Sequence, residues 1–138
     1  MRKQLEQVRE FNGLAGRELS DKPSAVDKER FKAQMLLIAE EVEEIAVAYK
    51  ENNYVGIVDG LVDTAYVLFG LVELLGFREE FVEGFNLVHD NNMTKVKDSE
   101  GNIIAKFNEN GKIIKPDTYK SIDLGEAFPH LRELNHVN

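Results

Sequence analysis

The chain has 138 residues, 43% of them hydrophobic, which suits a single domain over residues 1–138 and leaves little room for a second. It contains no cysteine, which excludes disulfides, thiolate metal sites and thiol nucleophiles. It also begins without the apolar segment of a signal peptide, so we expect a cytoplasmic protein. The formal net charge of -8 disfavours non-specific attraction to nucleic acid or to an anionic membrane, and we expect neither as a partner.

Four stretches have the apolar periodicity of α-helices, and they cover about residues 2–14, 27–52, 54–75 and 79–92. Between the first two helices, Pro23 disfavours helix in the residue before it and marks a loop. Asp27 is a suitable N-cap for the second helix, the pair Asn52-Asn53 separates it from the third, and Gly76 is a typical stop for the third. The sequence therefore predicts a helical core of about residues 1–92.

The tail of about residues 93–138 has a different character, because it alternates short β-prone runs with polar turns in KVKDSEGNIIAKFNENGKIIKPDTYK. The turns are Glu100-Gly101 and Asn110-Gly111, and asparagine followed by glycine in particular favours a tight hairpin turn. The predicted fold class is therefore all-α, a four-helix bundle with a short C-terminal β-hairpin extension.

The acidic segment EEVEE, residues 40–44, lies in the middle of the second helix. At about 100° per residue, one apolar stripe predicts the core-facing side of this helix, and it consists of Phe31, Met35, Ile38, Val42, Ile45 and Tyr49. Glu40, Glu41 and Glu44 fall in the adjoining arc, which apolar residues frame on both sides, whereas Glu43 projects elsewhere. For this segment alone, the charged edge of an ordinary amphipathic helix is an equal alternative.

The third helix is apolar on nearly all sides, as expected of a central helix, yet it carries Asp59 and Asp63 one turn apart on one face. Like charges in this position repel, and the repulsion grows where water is excluded. A membrane span is an alternative by length, but two aspartates in mid-segment and the lack of basic flanks disfavour it. A protonated or locally hydrogen-bonded aspartate would account for one of the two acids only.

The very short connection between the second and third helices favours antiparallel packing. The glutamates could then face the aspartates, so that five carboxylates converge in one cleft: Glu40, Glu41, Glu44, Asp59 and Asp63. Such a cluster needs cations, and an all-oxygen site suits Mg²⁺, with Mn²⁺ also possible. Magnesium sites are usually completed by substrate phosphates, which points to phosphoryl chemistry.

The spacing of these acids resembles that of a known family. The segment EExxE, residues 40–44 here, followed by an acidic pair on an apolar helix, resembles the all-α nucleoside triphosphate pyrophosphohydrolases, which include the MazG-like and phosphoribosyl-ATP pyrophosphohydrolase-like proteins. The chain also has, in the order expected of a single-domain member, VREFN, a Lys-Pro-Ser loop, VDGLVDTAYVLFG, VHDNNMTKV and NGKIIKPDTYKSIDL. The resemblance therefore covers most of the chain.

The resemblance implies Mg²⁺-dependent hydrolysis of a nucleoside or deoxynucleoside triphosphate between the α- and β-phosphates, in a house-cleaning or nucleotide-pool role. Glu40, Glu41 and Glu44 would be metal ligands. One of the two catalytic candidates, Glu41 or Glu44, could orient the attacking water. Asp63 would be the aspartate of the second motif. That motif is commonly ExxD, but Gly60 stands three residues before Asp63 here, so Asp59 would replace the usual glutamate.

After the fourth helix, NNMTK resembles the family's phosphate-contacting positions, so Asn92 and Lys95 would bind substrate phosphates. In the tail, Lys112 and Lys115 could close over the triphosphate, although loop lysines are commonly solvated. A helix as apolar as the third also predicts a homodimer or homotetramer, because a chain of this size cannot cover it alone.

Two alternative functions stay open. One is a non-catalytic acidic helical dimer that acts as a protein-interaction module, and the other is phosphoribosyl-ATP pyrophosphohydrolase itself. The preferred base is not evident from the sequence. Phe11 and Asn12 could contact a base, but Phe11 lies on the apolar stripe of the first helix, which favours packing.

Overall fold

The computed structural model describes residues 1–134, so residues 135–138 of the predicted tail lie outside the described residues. The elements are α1 (Arg2–Leu14), α2 (Lys28–Lys50), α3 (Tyr54–Leu75), α4 (Arg78–Met93), a short helix α5 (Leu124–Ala127) and a 3₁₀ turn (Pro129–Glu133). The predicted all-α fold class, with four long helices, is confirmed. The chain divides into a first compact unit of Met1–Arg78 with the described residues after Arg132, and a second unit of Glu79–Arg132. The single domain over residues 1–138 stays a prediction.

Local side-chain signals set the helix ends of the first unit. The Asp27 carboxylate accepts a hydrogen bond from a backbone N–H of the first turn of α2 at 2.9 Å, and so caps that helix as predicted. Asn52 adopts a positive φ of 55°, and Asn53 accepts a hydrogen bond from the N–H of Gly56 at 3.0 Å. Two residues therefore suffice to turn the chain from α2 into α3. Gly76 ends α3 in the left-handed region, at a φ of 70°.

Helices α2 and α3 pack antiparallel along a seam of small residues. A Cβ atom added at Gly56 would lie 3.1 Å from the Cβ of Ala48, and one added at Gly60 would lie 2.8 Å from the side chain of Ile45. These separations are shorter than ordinary van der Waals contacts, so the two glycines let the helix backbones approach closely. The pairing of residue 48 with 56 and of 45 with 60 shows that the helices run in opposite directions, as the short connection predicts.

The face of α2 that meets α3 coincides only in part with the predicted apolar stripe, because Ile45 is the member of the stripe that packs against Gly60 of α3. Most members of that stripe are exposed, namely Phe31, Met35, Val42 and Tyr49. The buried residues of α2 are instead Gln34 and Ala48. The prediction that the whole stripe faces the core is therefore wrong. Only Ile38 and Ile45 of the stripe are half-buried, and the residues that fit against the glycines of α3 are Ala48 and Ile45. As a consequence, the arc that carries Glu41 borders α3.

Helix α1 packs on α3 through Leu5 and Val8, which are almost completely buried. Phe11 does not continue this buried stripe: it is exposed and meets the ring of Tyr66 edge-on, with 5.8 Å between the ring centroids. Its neighbour Asn12 is buried in its place. The packing role predicted for Phe11 is thus taken in part by a polar residue.

One side of α3 remains apolar and exposed in the chain, and it presents Val55, Val58, Leu61 and Val62. By length and composition alone, α3 is the one helix in residues 1–134 that could cross a membrane, a test that core helices of soluble proteins also pass. Helix α3 contacts both α1 and α2. The central position predicted for α3 is therefore confirmed for the first unit, but its burial is incomplete.

In the second unit, two similar turns follow α4. The side chains of Asp98 and Asn108 accept hydrogen bonds from backbone N–H groups two and four residues further on. Each turn contains a glycine with positive φ, Gly101 or Gly111, as the sequence predicts. Each is closed by a single antiparallel bridge, Lys97 with Ile103 and Phe107 with Ile113. No β-sheet is present in residues 1–134, so the predicted β-hairpin extension is reduced to these two bridged turns.

Candidate active site

The five carboxylates singled out in the sequence all belong to α2 and α3 of the first unit. Partial burial raises the pKa of Glu41, and repulsion by Glu44, Asp63, Glu40 and Asp59, in decreasing order of effect, raises it further. Each of the other four acids is therefore near enough to act on Glu41. The structure therefore places the other four acids within electrostatic range of Glu41 across the α2–α3 seam. Their roles as metal ligands and catalytic groups stay predictions.

The carboxylates differ in exposure. Glu41 is half-buried, whereas Glu40, Glu44, Asp59 and Asp63 are exposed. Across residues 1–134, no group of three or more acidic or histidine side chains stands at metal-binding spacing. Like charges on adjacent helical turns favour rotamers that keep them apart, and a bound cation would have to draw these carboxylates together.

Gly60 gives a physical reason for the departure from ExxD. It is buried in the seam, and its added Cβ would lie 2.8 Å from Ile45 and 3.5 Å from the backbone oxygen of Glu41. A glutamate at position 60 therefore does not fit while α2 and α3 stay in contact. Asp59, the adjacent residue, is exposed and acts electrostatically on Glu41. That Asp59 replaces the missing glutamate stays a prediction.

The predicted phosphate-binding residues lie in the second unit, with Asn92 in the last turn of α4 and the three lysines after that helix. Asn92, Lys95 and Lys115 gather near one tyrosine. The Lys95 ammonium donates to the side-chain oxygen of Asn92 at 2.6 Å and lies 5.1 Å from the ring centroid of Tyr119. The Lys115 ammonium lies 5.0 Å from the same centroid. In the described part of the chain the Lys112 side chain makes no hydrogen bond or ion pair, so the structure does not bring it into this group. The ammonium groups of Lys95 and Lys115 beside the Tyr119 ring make this surface electropositive, which favours the binding of an anion.

Glu73 forms a buried ion pair with two arginines that was not predicted from the sequence. Its side chain is 1% exposed, and its two oxygens accept hydrogen bonds from Arg9 at 3.0 Å and from Arg78 at 2.9 Å. Arg9 also donates to the carbonyl oxygen of Ser20 at 3.1 Å and pairs with Asp21, so this buried acid ties the loop after α1 to the end of α3. A signal was available: an acid near the C-terminal end of an apolar helix opposes the helix dipole and needs a cationic partner.

A comparison of the sequence with protein-family models shows which family the chain matches. A family model described as phosphoribosyl-ATP pyrophosphohydrolase matches residues 8–92, more than half of the chain. The matched segment contains α2, α3 and all five carboxylates, and it places the chain in the MazG-like all-α superfamily. Asn92 is the last matched residue, and the three lysines predicted to bind phosphate lie beyond it. No match was found among curated proteins. The resemblance stated from the sequence is thereby confirmed.

Proposed function

Because the chain belongs to the phosphoribosyl-ATP pyrophosphohydrolase family, whose members hydrolyse an acid anhydride, we propose that it is a Mg²⁺-dependent nucleoside triphosphate pyrophosphohydrolase. It would cleave between the α- and β-phosphates and release a nucleoside monophosphate and pyrophosphate. The role would be house-cleaning or control of a nucleotide pool in the cytoplasm. The observation that carries the proposal is the position of Glu41, half-buried at the α2–α3 seam and repelled by four further acids.

The donor set fits a hard divalent cation. All the candidate ligands are carboxylates, and Mg²⁺ prefers oxygen donors, while Mn²⁺ accepts the same set. We assign the cation to the acids of the seam, namely Glu40, Glu41, Glu44, Asp59 and Asp63. When bound, it would neutralise polyphosphate charge and polarise the phosphoryl oxygens. Its binding would also relieve the repulsion that raises the pKa of Glu41.

The side chains of the chain itself would supply orientation. Either Glu41 or Glu44 would accept a hydrogen bond from the attacking water and hold its oxygen towards the α-phosphorus. In the second unit, Lys95 and Lys115 would attract phosphate oxygens, because two ammonium groups beside one ring favour an anion. Asn92 would orient Lys95, to which it is hydrogen-bonded, and Lys112 is a further candidate from the same tail.

The test of the reaction is product analysis with a substrate panel. Canonical and modified NTPs and dNTPs, together with phosphoribosyl-ATP, are incubated with Mg²⁺ or Mn²⁺, and pyrophosphate is measured against orthophosphate. We expect pyrophosphate and a monophosphate from at least one nucleoside triphosphate. Turnover of phosphoribosyl-ATP alone would assign the chain the substrate in its family's name instead. Orthophosphate as the first product would rule out α,β cleavage, and no product at all would favour the non-catalytic interaction module.

A direct binding experiment tests the metal assignment. Titration of Mg²⁺ or Mn²⁺ into the metal-free protein, followed by calorimetry and by thermal melting, should show binding and an increase in Tm. Glu41→Gln should weaken both effects at least tenfold in apparent affinity. Glu43→Gln is the matched control, because Glu43 is an exposed glutamate of the same helix that has no assigned role. Equal behaviour of the two variants would contradict the site.

We further propose that a second copy of the chain covers the apolar face of α3 to form a homodimer or homotetramer. A groove of about 550 Å³ between α1 and α3 exposes Val58, Leu61 and Val62 beside Tyr66. Exposed apolar surface of this kind is typical of subunit interfaces. Leu61→Glu should therefore lower the mass measured by light scattering, whereas Leu14→Glu, at the exposed end of α1, should not. A monomeric wild-type chain would contradict this proposal.

A further inference from the structure

A cavity of about 460 Å³ lies between α1, α2 and α3, and part of the loop after α1 forms its wall. Its lining combines apolar side chains, two amides, the acid Glu18 and the arginines Arg17 and Arg30. None of these residues has a role in the carboxylate cluster. The cavity is therefore a separate feature of the first unit that is large enough to hold a ligand.

Asn12 contributes a buried amide to this cavity. Its side chain is 4% exposed, and its Nδ2 donates to the backbone carbonyl of Val8 at 2.9 Å. Because a carbonyl oxygen can only accept, this contact fixes which end of the amide is nitrogen. In the described chain, the Oδ1 of Asn12 accepts no hydrogen bond. This oxygen is not among the side-chain atoms that are sealed from solvent without a partner, so it faces the open cavity and is free to accept a hydrogen bond from a ligand there.

Gln34 contributes a second amide in the same state. Its side chain is 7% exposed, and its Nε2 donates to the carbonyl of Val67 on α3 at 2.7 Å, which again fixes the orientation. Across residues 1–134, no donor reaches its Oε1. Gly70, on the opposite wall, keeps the space open, because a Cβ there would lie 3.0 Å from the Gln34 nitrogen.

The position of the cavity matches the reach of a nucleotide. Gln34 and Glu41 are seven residues apart on α2, and Asp63 and Gly70 are seven residues apart on the antiparallel α3. Seven residues make about two turns, so each pair shares a helix face and is separated by about 10 Å. That is the scale of the distance from the edge of a base to the α-phosphorus. One molecule could thus reach from the amides to the carboxylates.

The chemistry of the lining suits a base rather than a sugar or a second phosphate. Each amide offers an acceptor oxygen and one remaining N–H, the donor and acceptor pair that nucleobase edges complement. At the wall of the cavity, Arg17 is exposed and makes no ion pair in the described chain, so its planar guanidinium is available to stack on a base. The other arginine, Arg30, is already engaged by the carbonyl oxygen of Glu18 at 2.6 Å.

We propose that this cavity binds the nucleobase of the substrate, with Asn12 Oδ1 and Gln34 Oε1 accepting hydrogen bonds from N–H groups of the base. The inference rests on the proposed nucleotide hydrolysis and adds to it the residues that recognise the base. Both amides are held in place by backbone carbonyls, so the acceptors are oriented before the ligand arrives.

The test uses nucleosides, which carry a base but no phosphate, in metal-free buffer. Adenosine, guanosine, cytidine, uridine and their deoxy forms are titrated into the ¹⁵N-labelled protein, and the side-chain amide signals of Asn12 and Gln34 are followed by NMR. We expect at least one nucleoside to shift both signals and ribose 5-phosphate to shift neither. No shift with any nucleoside, or an equal shift with ribose 5-phosphate, would overturn the proposal. Because this experiment uses the wild-type chain, its result does not depend on whether a variant folds.

Variants then assign the effect to the amides. Gln34→Met and Asn12→Leu keep side-chain size but remove the acceptor, and each should weaken nucleoside binding about tenfold, which equals about 1.4 kcal/mol. Asn86→Leu is the matched control on an exposed asparagine of α4 and should bind as wild type. Unchanged binding by folded Gln34→Met and Asn12→Leu would refute the assignment. Pyrophosphate release is scored separately, so nucleoside binding without turnover would contradict the proposed reaction and leave the base pocket standing.

Discussion

Replacement of Glu73 by glutamine is expected to destabilise the first unit by about 3 kcal/mol. The Glu73 carboxylate is 1% exposed and accepts charge-assisted hydrogen bonds from Arg9 and Arg78. Removal of one partner from a buried ion pair costs about 3–5 kcal/mol. The arginine side chains are 31% and 26% exposed, so water compensates part of their charge after the substitution. The cost therefore falls at the lower end of that range.

The assay is thermal unfolding followed by circular dichroism, together with urea unfolding at 25 °C. If the 138 residues unfold as one cooperative unit, with an unfolding entropy of about 2 cal/mol/K per residue, the loss corresponds to a decrease in Tm of about 10 °C. The control is Glu43→Gln, an exposed glutamate of α2, for which a change within about 0.5 kcal/mol is expected. A Tm of Glu73→Gln within about 2 °C of the wild-type value would refute the reasoning, because it would show that the buried carboxylate is not held by its two arginines.

The same substitution has a local consequence that a general loss of stability does not predict. The backbone N–H of Ser20 donates to the carbonyl oxygen of Glu73 at 3.3 Å, and Arg9 donates to the carbonyl oxygen of Ser20. Residues just before Ser20 form the wall of the proposed base cavity. Hydrogen exchange at Ser20 should therefore accelerate in Glu73→Gln more than exchange in the middle of α2, and nucleoside binding should weaken with it.

Three further substitutions test the site, a turn and the seam. Glu41→Gln should abolish pyrophosphate release yet raise Tm in metal-free buffer. Folding raises the pKa of Glu41, so the ionised side chain lowers the free energy of unfolding at neutral pH, and this effect disappears as the pH falls through the raised pKa. If the variant kept the same Tm advantage in acid, this cause would be contradicted. Asp98→Asn should weaken the first turn of the tail, because hydrogen bonds from Asn102 hold the pKa of Asp98 below its usual range. The stabilising contribution of Asp98 is present above its unfolded pKa of about 3.9 and is lost as the pH falls through the lowered value. Amide exchange at Asn102 should therefore differ between variant and wild type at pH 6 but not in strong acid. Gly60→Ala should lower the free energy of unfolding by about 1–3 kcal/mol, because the added methyl group overpacks the α2–α3 seam. Gly13→Ala, whose methyl group meets no atom within 4 Å, should be neutral or stabilising. Equal urea midpoints of the two variants would show that the seam tolerates a methyl group.

Helix existence and helix ends could be predicted from the sequence because they depend on residues close together in the chain. The cap by Asp27, the turn at Asn52-Asn53 and the left-handed stop at Gly76 all involve contacts within a few residues. The extent of the tail strands could not be read in the same way. Its turns form as predicted, but each is closed by one bridge only, because strand length depends on what packs against it.

The choice of the buried face of α2 could not be predicted from hydrophobicity. The predicted stripe contains bulky residues such as Phe31 and Met35, yet both are exposed. What decides the contact is how closely two backbones can approach, and this depends on Ala48 opposite Gly56, a property of two helices together. The burial of Asn12 could not be predicted from the sequence for the same reason, since it too depends on how the helices pack together.

The glycines of α3 connect the fold to the proposed chemistry. At about 100° per residue, Gly56, Gly60 and Gly70 lie within a narrow arc of α3, which also contains Asp63. At one end of this arc, Gly56 and Gly60 let α2 approach so closely that its acidic arc borders the aspartates. At the other end, Gly70 leaves room for the side chain of Gln34 and the cavity beside it. Small residues on one face of a single helix thus determine both the proposed cation site and the proposed base pocket, and the two-turn separation between them is fixed by helix geometry alone.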